Sequence, residues 1–194
     1  MALAAEIQDL FAQYDAAEVA ARALVTEMNE RVGTWRPSPD KWSVALCLDH
    51  IAATNRAYLE AMRAPLERSR VGGKLRRKPV LPGFFGRLFI KGVEPPVPKT
   101  LRIRAPKLIV PRPGVPLSEG IAQFLASQQE VCEVITKNAD LDLASIHFRN
   151  PFIRGVSFTV ASGLYIIVAH ERRHLWQAGH IRDLAQQALS EPAA

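Results

Sequence analysis

The chain has 194 residues, 48% of them hydrophobic and 7% aromatic, with a formal net charge of +6, a balance ordinary for one globular domain spanning 1–194. Its two cysteines, Cys47 and Cys132, lie far apart with no CxxC pairing, which points to buried thiols and a reducing compartment rather than a disulfide scaffold. The opening MALAAEIQDLF lacks a basic leader, and the longest apolar or small-residue stretch, Val160 to Ala169, is about half a bilayer span. The expectation is a cytoplasmic protein with no membrane span.

In chain order, the first predicted helix runs from Ala4 to Arg31, with Leu10, Ala17, Leu24 and Met28 at helical spacing and Gly33 as a stop. A second starts at Ser43, a good N-cap, and continues through VALCLDHIAATNRAYLEAM to about Ala64, where Pro65 is expected to end it. From Pro65 to Pro116 the chain holds 10 of its 14 prolines, six of its 11 glycines, and 13 Lys and Arg against Glu67 and Glu94. Helices absorb such a density poorly, so this stretch reads as one extended basic crossover. Within it, LRIRAPKLIV can make a short extended edge, and Phe84, Phe85 and Phe89 read as anchors into the core. A third helix opens at Ser118 or the turn beside it and ends near Lys137. After a loop with Asn150-Pro151 and Gly155, a fourth begins at Phe158 or Thr159 and reaches about Leu189. The fold class is therefore all-α, a four-helix bundle with one long Pro-rich crossover between helices 2 and 3, and no convincing strand pattern.

The last helix contains AHERRHLWQAGH, in which His170 and His174 stand four residues apart and project from one face. Gly163, Ile167, Gln177 and Ile181 share that face, which turns both rings inward. On the second helix His50 lies on the side of Leu46, Cys47, Thr54 and Ala57, again the side a bundle buries. An imidazole nitrogen buried without a partner costs about 1–3 kcal/mol. A divalent cation held by His50, His170 and His174 satisfies three rings at once, and imidazole suits zinc, nickel or iron. The bland competitor is a metal-free core in which the rings bond Thr54, Gln177 or one another.

WRPSPDKWSVALCLDHIA, from Trp35 to Ala52, together with the late AHERRHLWQ, resembles the two signatures of DinB/YfiT-type proteins: a Trp-Ser turn opening the second helix with a histidine one to two turns in, and H-x-x-x-H followed by Gln. The resemblance covers nearly the whole chain. It implies a DinB-like up-down-down-up bundle, a divalent metal bound by His50, His170 and His174, and frequent homodimers. Similar proteins include thiol S-transferases using a low-molecular-weight thiol, a thiol-dependent isomerase and metal-dependent hydrolases of small molecules. The implied function is thus a thiol transferase or hydrolase acting on a small-molecule substrate. The alternative is a non-catalytic dimeric binding or stress-response module with a structural metal or none. Leu46 departs from the Glu or Gln of many relatives and leaves the capping box at Ser43 incomplete.

Other candidates read more plainly. No catalytic base is singled out. Glu171 projects about 100° from His170 and is expected at the surface, pairing with Arg172 or Arg173. His147 is expected in a surface loop, His180 outward, Cys47 as a small buried residue, Trp35 and Trp42 as staples of the loop-to-helix corner, and Trp176 at an interface or the bundle exterior. The run RSRVGGKLRRK, Arg68 to Lys78, can attract phosphates, an anionic membrane or an acidic thiol, but reads first as a solvated loop. It has no docking helix or interleaved aromatics, so nucleic acid is not the expected partner.

Overall fold

The structure is a computed structural model that describes residues 4–96 and 105–190. It is mostly helical, as expected. Helix α1 spans Ala5–Val25, α2 Glu30–Thr34, α3 Val44–Val71, α4 Phe84–Val93, α5 Leu117–Asn138 and α6 Val160–Ser190. Two three-residue strands, β1 His147–Arg149 and β2 Ser157–Thr159, pair antiparallel with Phe148 opposite Phe158. Among the described residues no helix is long and apolar enough to cross a membrane.

The apolar positions of the four long helices meet in one core. Ile7, Leu10 and Tyr14 of α1, Leu48 and Ile51 of α3, Phe124 and Ile135 of α5, and Leu164 and Ile166 of α6 are fully enclosed. Helix α3 packs on both α5 and α6, while α1 packs on α6 and α5. The α3–α5 contact is close because Gly120 has no side chain; a Cβ there lies 2.9 Å from the Ala45 carbonyl oxygen. Tyr14 carries its hydroxyl into the core and donates it to the Leu164 carbonyl at 2.7 Å, which joins α1 to α6.

Several expectations need correction. The first helix stops at Val25, not Arg31: Glu27 takes a left-handed φ of 62°, and Asn29 starts α2 by accepting the Val32 N–H at 3.0 Å. Gly33 lies inside α2 rather than ending a helix, and its bare Cα admits the Leu117 side chain. Pro65 does not end the second helix, which continues to Val71. A proline inside a helix costs about 3 kcal/mol. Burial of Leu66 one residue later returns about 1.5–3 kcal/mol, and Arg70 ties the extension to the Lys137 carbonyl and to Asn138 and Asp140.

The crossover is not wholly extended, since it contains the ten-residue α4. Residues 101–104 of the proposed extended edge lie outside the described residues, and Lys107–Ile109 form a 3-10 turn instead. The strand pair departs from the expected absence of strands, and it places His147 on β1, exposed, rather than in a loop. Asn150 closes the turn between the strands by accepting the N–H groups of Phe152 and Ile153. Ser43 caps α3 as expected, its hydroxyl oxygen accepting the Leu46 N–H at 3.2 Å. Helix α5 has no side-chain cap of its own; Glu30 of α2 accepts the Leu117 and Ser118 N–H groups at 2.7 and 3.0 Å.

Candidate metal centre

Three imidazoles from two helices come together. His50 sits in the second turn of α3 and is buried, as is His174; His170, one turn before His174 on α6, is half-buried. Ring centroids stand 5.0 Å apart for His50 and His170, 4.5 Å for His50 and His174, and 4.4 Å for His170 and His174. One potential ligand nitrogen from each ring lies within 4.8 Å of the others.

The hydrogen bonds around the rings leave lone pairs facing inward. His50 donates from Nδ1 to the Ile109 carbonyl at 2.7 Å, so its Nε2 carries no proton. His174 donates from Nδ1 to Gln177 Oε1 at 3.0 Å, which leaves its Nε2 bare as well. The Nε2 atoms of His50 and His170 are 3.2 Å apart. Two nitrogens bound tetrahedrally to zinc at 2.0–2.1 Å are separated by about 3.3 Å, so the spacing already suits a shared cation. Burial lowers the pKa of His50. It lowers those of His170 and His174 further, helped by the neighbouring rings. All three are neutral at pH 7, the state metal ligation needs.

Trp42, just before the Ser43 cap, lies over the cluster with its ring 4.6 Å from His50 and 5.8 Å from His174. It is a corner residue as expected, and also a wall of the site. Behind His50, buried Asp49 accepts from the Arg112 backbone N–H at 2.9 Å and from its guanidinium at 2.6 and 3.1 Å. Arg112 also reaches Glu119 at 2.7 Å.

The DinB superfamily model matches residues 13–178, and this span includes every one of these side chains. The chain belongs to the DinB superfamily. No curated protein and no solved structure matches it.

Within this DinB-superfamily chain the three histidines named from the sequence are the ones brought together, and the residues fit a divalent cation: three neutral nitrogen donors at ligand spacing, two of them oriented by a hydrogen bond on the opposite ring nitrogen. His170 Nδ1 is buried with no hydrogen-bond partner among the described residues. His147 and His180 are exposed and stand apart from the cluster. Cys47 is buried, and burial raises its thiol pKa, so it is inert as a nucleophile.

Glu171 overturns its expectation. It is wholly buried and accepts from Asn55 Nδ2 and Gln128 Nε2, each at 2.7 Å. Arg172 pairs with Glu94 and Gln13 instead. The signal was present in the polar Asn55 and Gln128, which fall on otherwise apolar helix faces. The Ile109 carbonyl, the Asp49–Arg112 pair and half-buried Arg173 had no such local signal. Arg173 depresses all three histidine pKa values through its charge. The basic run starts well away from the histidines: Arg68 follows His50 by five turns of α3, about 27 Å.

Proposed function

We propose that this chain is a metal-dependent enzyme whose divalent cation is held by His50, His170 and His174 at the heart of an up-down-down-up bundle, acting on a small molecule by thiol transfer or hydrolysis. The observation that carries the reading is the inward convergence of three ring nitrogens, with His50 and His170 Nε2 3.2 Å apart. A divalent ion at that point supplies Lewis acidity, lowering the pKa of a coordinated water or thiol.

The remaining chemistry belongs to the chain. Ile109 and Gln177 hold the tautomers of His50 and His174. Trp42 shields the His50 and His174 rings from water. Arg173, half-buried beside the rings, offers positive charge to an anionic substrate or nucleophile, and burial lowers its own pKa. This supports thiol transfer with an acidic thiol over a role for the distant basic run.

A second reading rests on the same 3.2 Å contact: in a metal-free core, His170 Nε2 donates to His50 Nε2. Elemental analysis of untagged protein separates the two. One first-row metal per chain, lost in His50→Ala while the helical circular dichroism persists, is the expected result. Absence of metal from the wild type after reconstitution, or undiminished metal in the variant, establishes the core reading instead.

A further inference from the structure

Between Glu67 and Glu94 the chain contains no acid, yet it carries Arg68, Arg70, Lys74, Arg76, Arg77, Lys78, Arg87 and Lys91. Among the described residues, Arg77, Lys78, Arg87 and Lys91 take part in no ion pair. Phe84, Phe85 and Phe89 are expected from the sequence as anchors into the core, and of the three Phe89 behaves that way, its ring 5.2 Å from Phe158. Phe84 and Phe85 are 71% and 75% exposed, Leu88 is 63% exposed, and Leu81 just upstream is 48% exposed.

This outward face is held in place. Gly86 packs so tightly on Ser162 that a Cβ there lies 2.3 Å from the hydroxyl oxygen. The same hydroxyl accepts the Gly83 N–H at 3.1 Å. With Gly86 and Phe89 turned inward, helical geometry sends Phe84, Phe85 and Leu88 out together, and Lys91 and Arg87 lie along one side of that stripe. Large apolar side chains clustered in water and flanked by cations mark a binding surface.

We propose that α4 and the basic run before it form a docking surface for an anionic phospholipid bilayer. Leu81, Phe84, Phe85 and Leu88 insert at the headgroup boundary, while Arg77, Lys78, Arg87 and Lys91 face the lipid phosphates. The composition is that of an interfacial amphipathic helix, Phe and Leu on one side with cations beside them. Charge selects the occupant. A second copy meeting this face symmetrically sets one acid-free cationic surface against another, whereas an anionic leaflet attracts the whole segment. The surface operates independently of the metal centre.

The test is co-sedimentation of the full chain with phosphatidylcholine vesicles and with vesicles of phosphatidylcholine and phosphatidylglycerol at three to one. Binding is expected only to the anionic vesicles at 50 mM salt, falling at least tenfold at 0.5 M salt, where screening shortens the reach of the charges. Phe84→Ser with Phe85→Ser, and separately Arg87→Gln with Lys91→Gln, each reduce the bound fraction tenfold or more. These are exposed positions, so circular dichroism stays that of the wild type. The proposal is overturned by no binding to anionic vesicles, by equal binding to neutral ones, or by full binding of the Phe84/Phe85 variant. Sedimentation velocity supplies the last arm: a dimer dissolved by that variant, without vesicle binding, assigns the face to a second copy.

Discussion

A carboxylate enclosed on every side must be satisfied by hydrogen bonds or take up a proton, and Glu171 does some of both. Its two amide donors favour the ionised form, but burial outweighs them and pushes its pKa up to about 7 from an ordinary 4.5. The folded state therefore binds the proton more tightly than the unfolded one, and stability falls as pH rises from about 4.5 to 7, by roughly 3 kcal/mol. The buried histidines act in the opposite direction, since their folded pKa values lie below the ordinary 6.5 and stability rises with pH up to that value. Comparison with Glu171→Gln in metal-free protein isolates the acid. The glutamine keeps one acceptor, and Asn55 Oδ1, which has no partner among the described residues, can receive its amide once Asn55 turns over. The expected outcome is a variant less stable than wild type at pH 5 but level with it or better at pH 8, read from urea midpoints. Glu171→Leu takes an acceptor from each of two buried amides, Asn55 keeping the Ser127 hydroxyl at 3.1 Å, and loses about 2–4 kcal/mol at pH 5. A pH dependence identical in wild type and Glu171→Gln refutes the raised pKa.

Helix α5 depends on a neighbour for its start. Pro116 offers no side-chain cap, and the Glu30 carboxylate of α2 takes the two leading N–H groups, which also holds that carboxyl below its ordinary range. Glu30→Ala is expected to cost about 1 kcal/mol and lower Tm by about 2–4 °C at pH 7. The contribution is present above the ordinary 4.5 and vanishes as pH falls through the lower folded value, so wild type and variant melt together in strong acid. Melting curves followed from pH 7 down into strong acid decide it.

The long helices were readable because helical spacing persists over many turns, and Ser43 declared the start of α3 locally. His50, His170 and His174 were readable for the same reason, as the wheel turns each toward the core. Other features depended on residues far off in the chain. Pro65 is overruled by Arg70 reaching Lys137, Asn138 and Asp140. Glu171 is drawn inward by Asn55 and Gln128 on two other helices. Three-residue strands are too short to show alternation, and proline density around α4 concealed a helix whose apolar side faces outward.

Across the whole molecule the crossover leaves the bundle at the far end of α3 and returns beside the histidines, where Ile109 accepts from His50 Nδ1 and Arg112 grips Asp49 on the preceding residue. One contact sets the tautomer of His50, and the other pins the chain three residues beyond it. Loss of the grip therefore reaches the cation site without touching a ligand. Arg112→Ala is expected to weaken metal affinity about 10–100-fold in chelator competition. It also costs about 1–3 kcal/mol, because the buried Asp49 carboxylate loses its charged partner. Adding Asp49→Asn removes that charge and recovers most of the stability, but it does not restore the anchor for Ile109. The double variant should thus fold nearly as well as wild type and still bind metal weakly. Affinity that returns along with stability shows that the crossover braces the fold alone and leaves the orientation of His50 to α3.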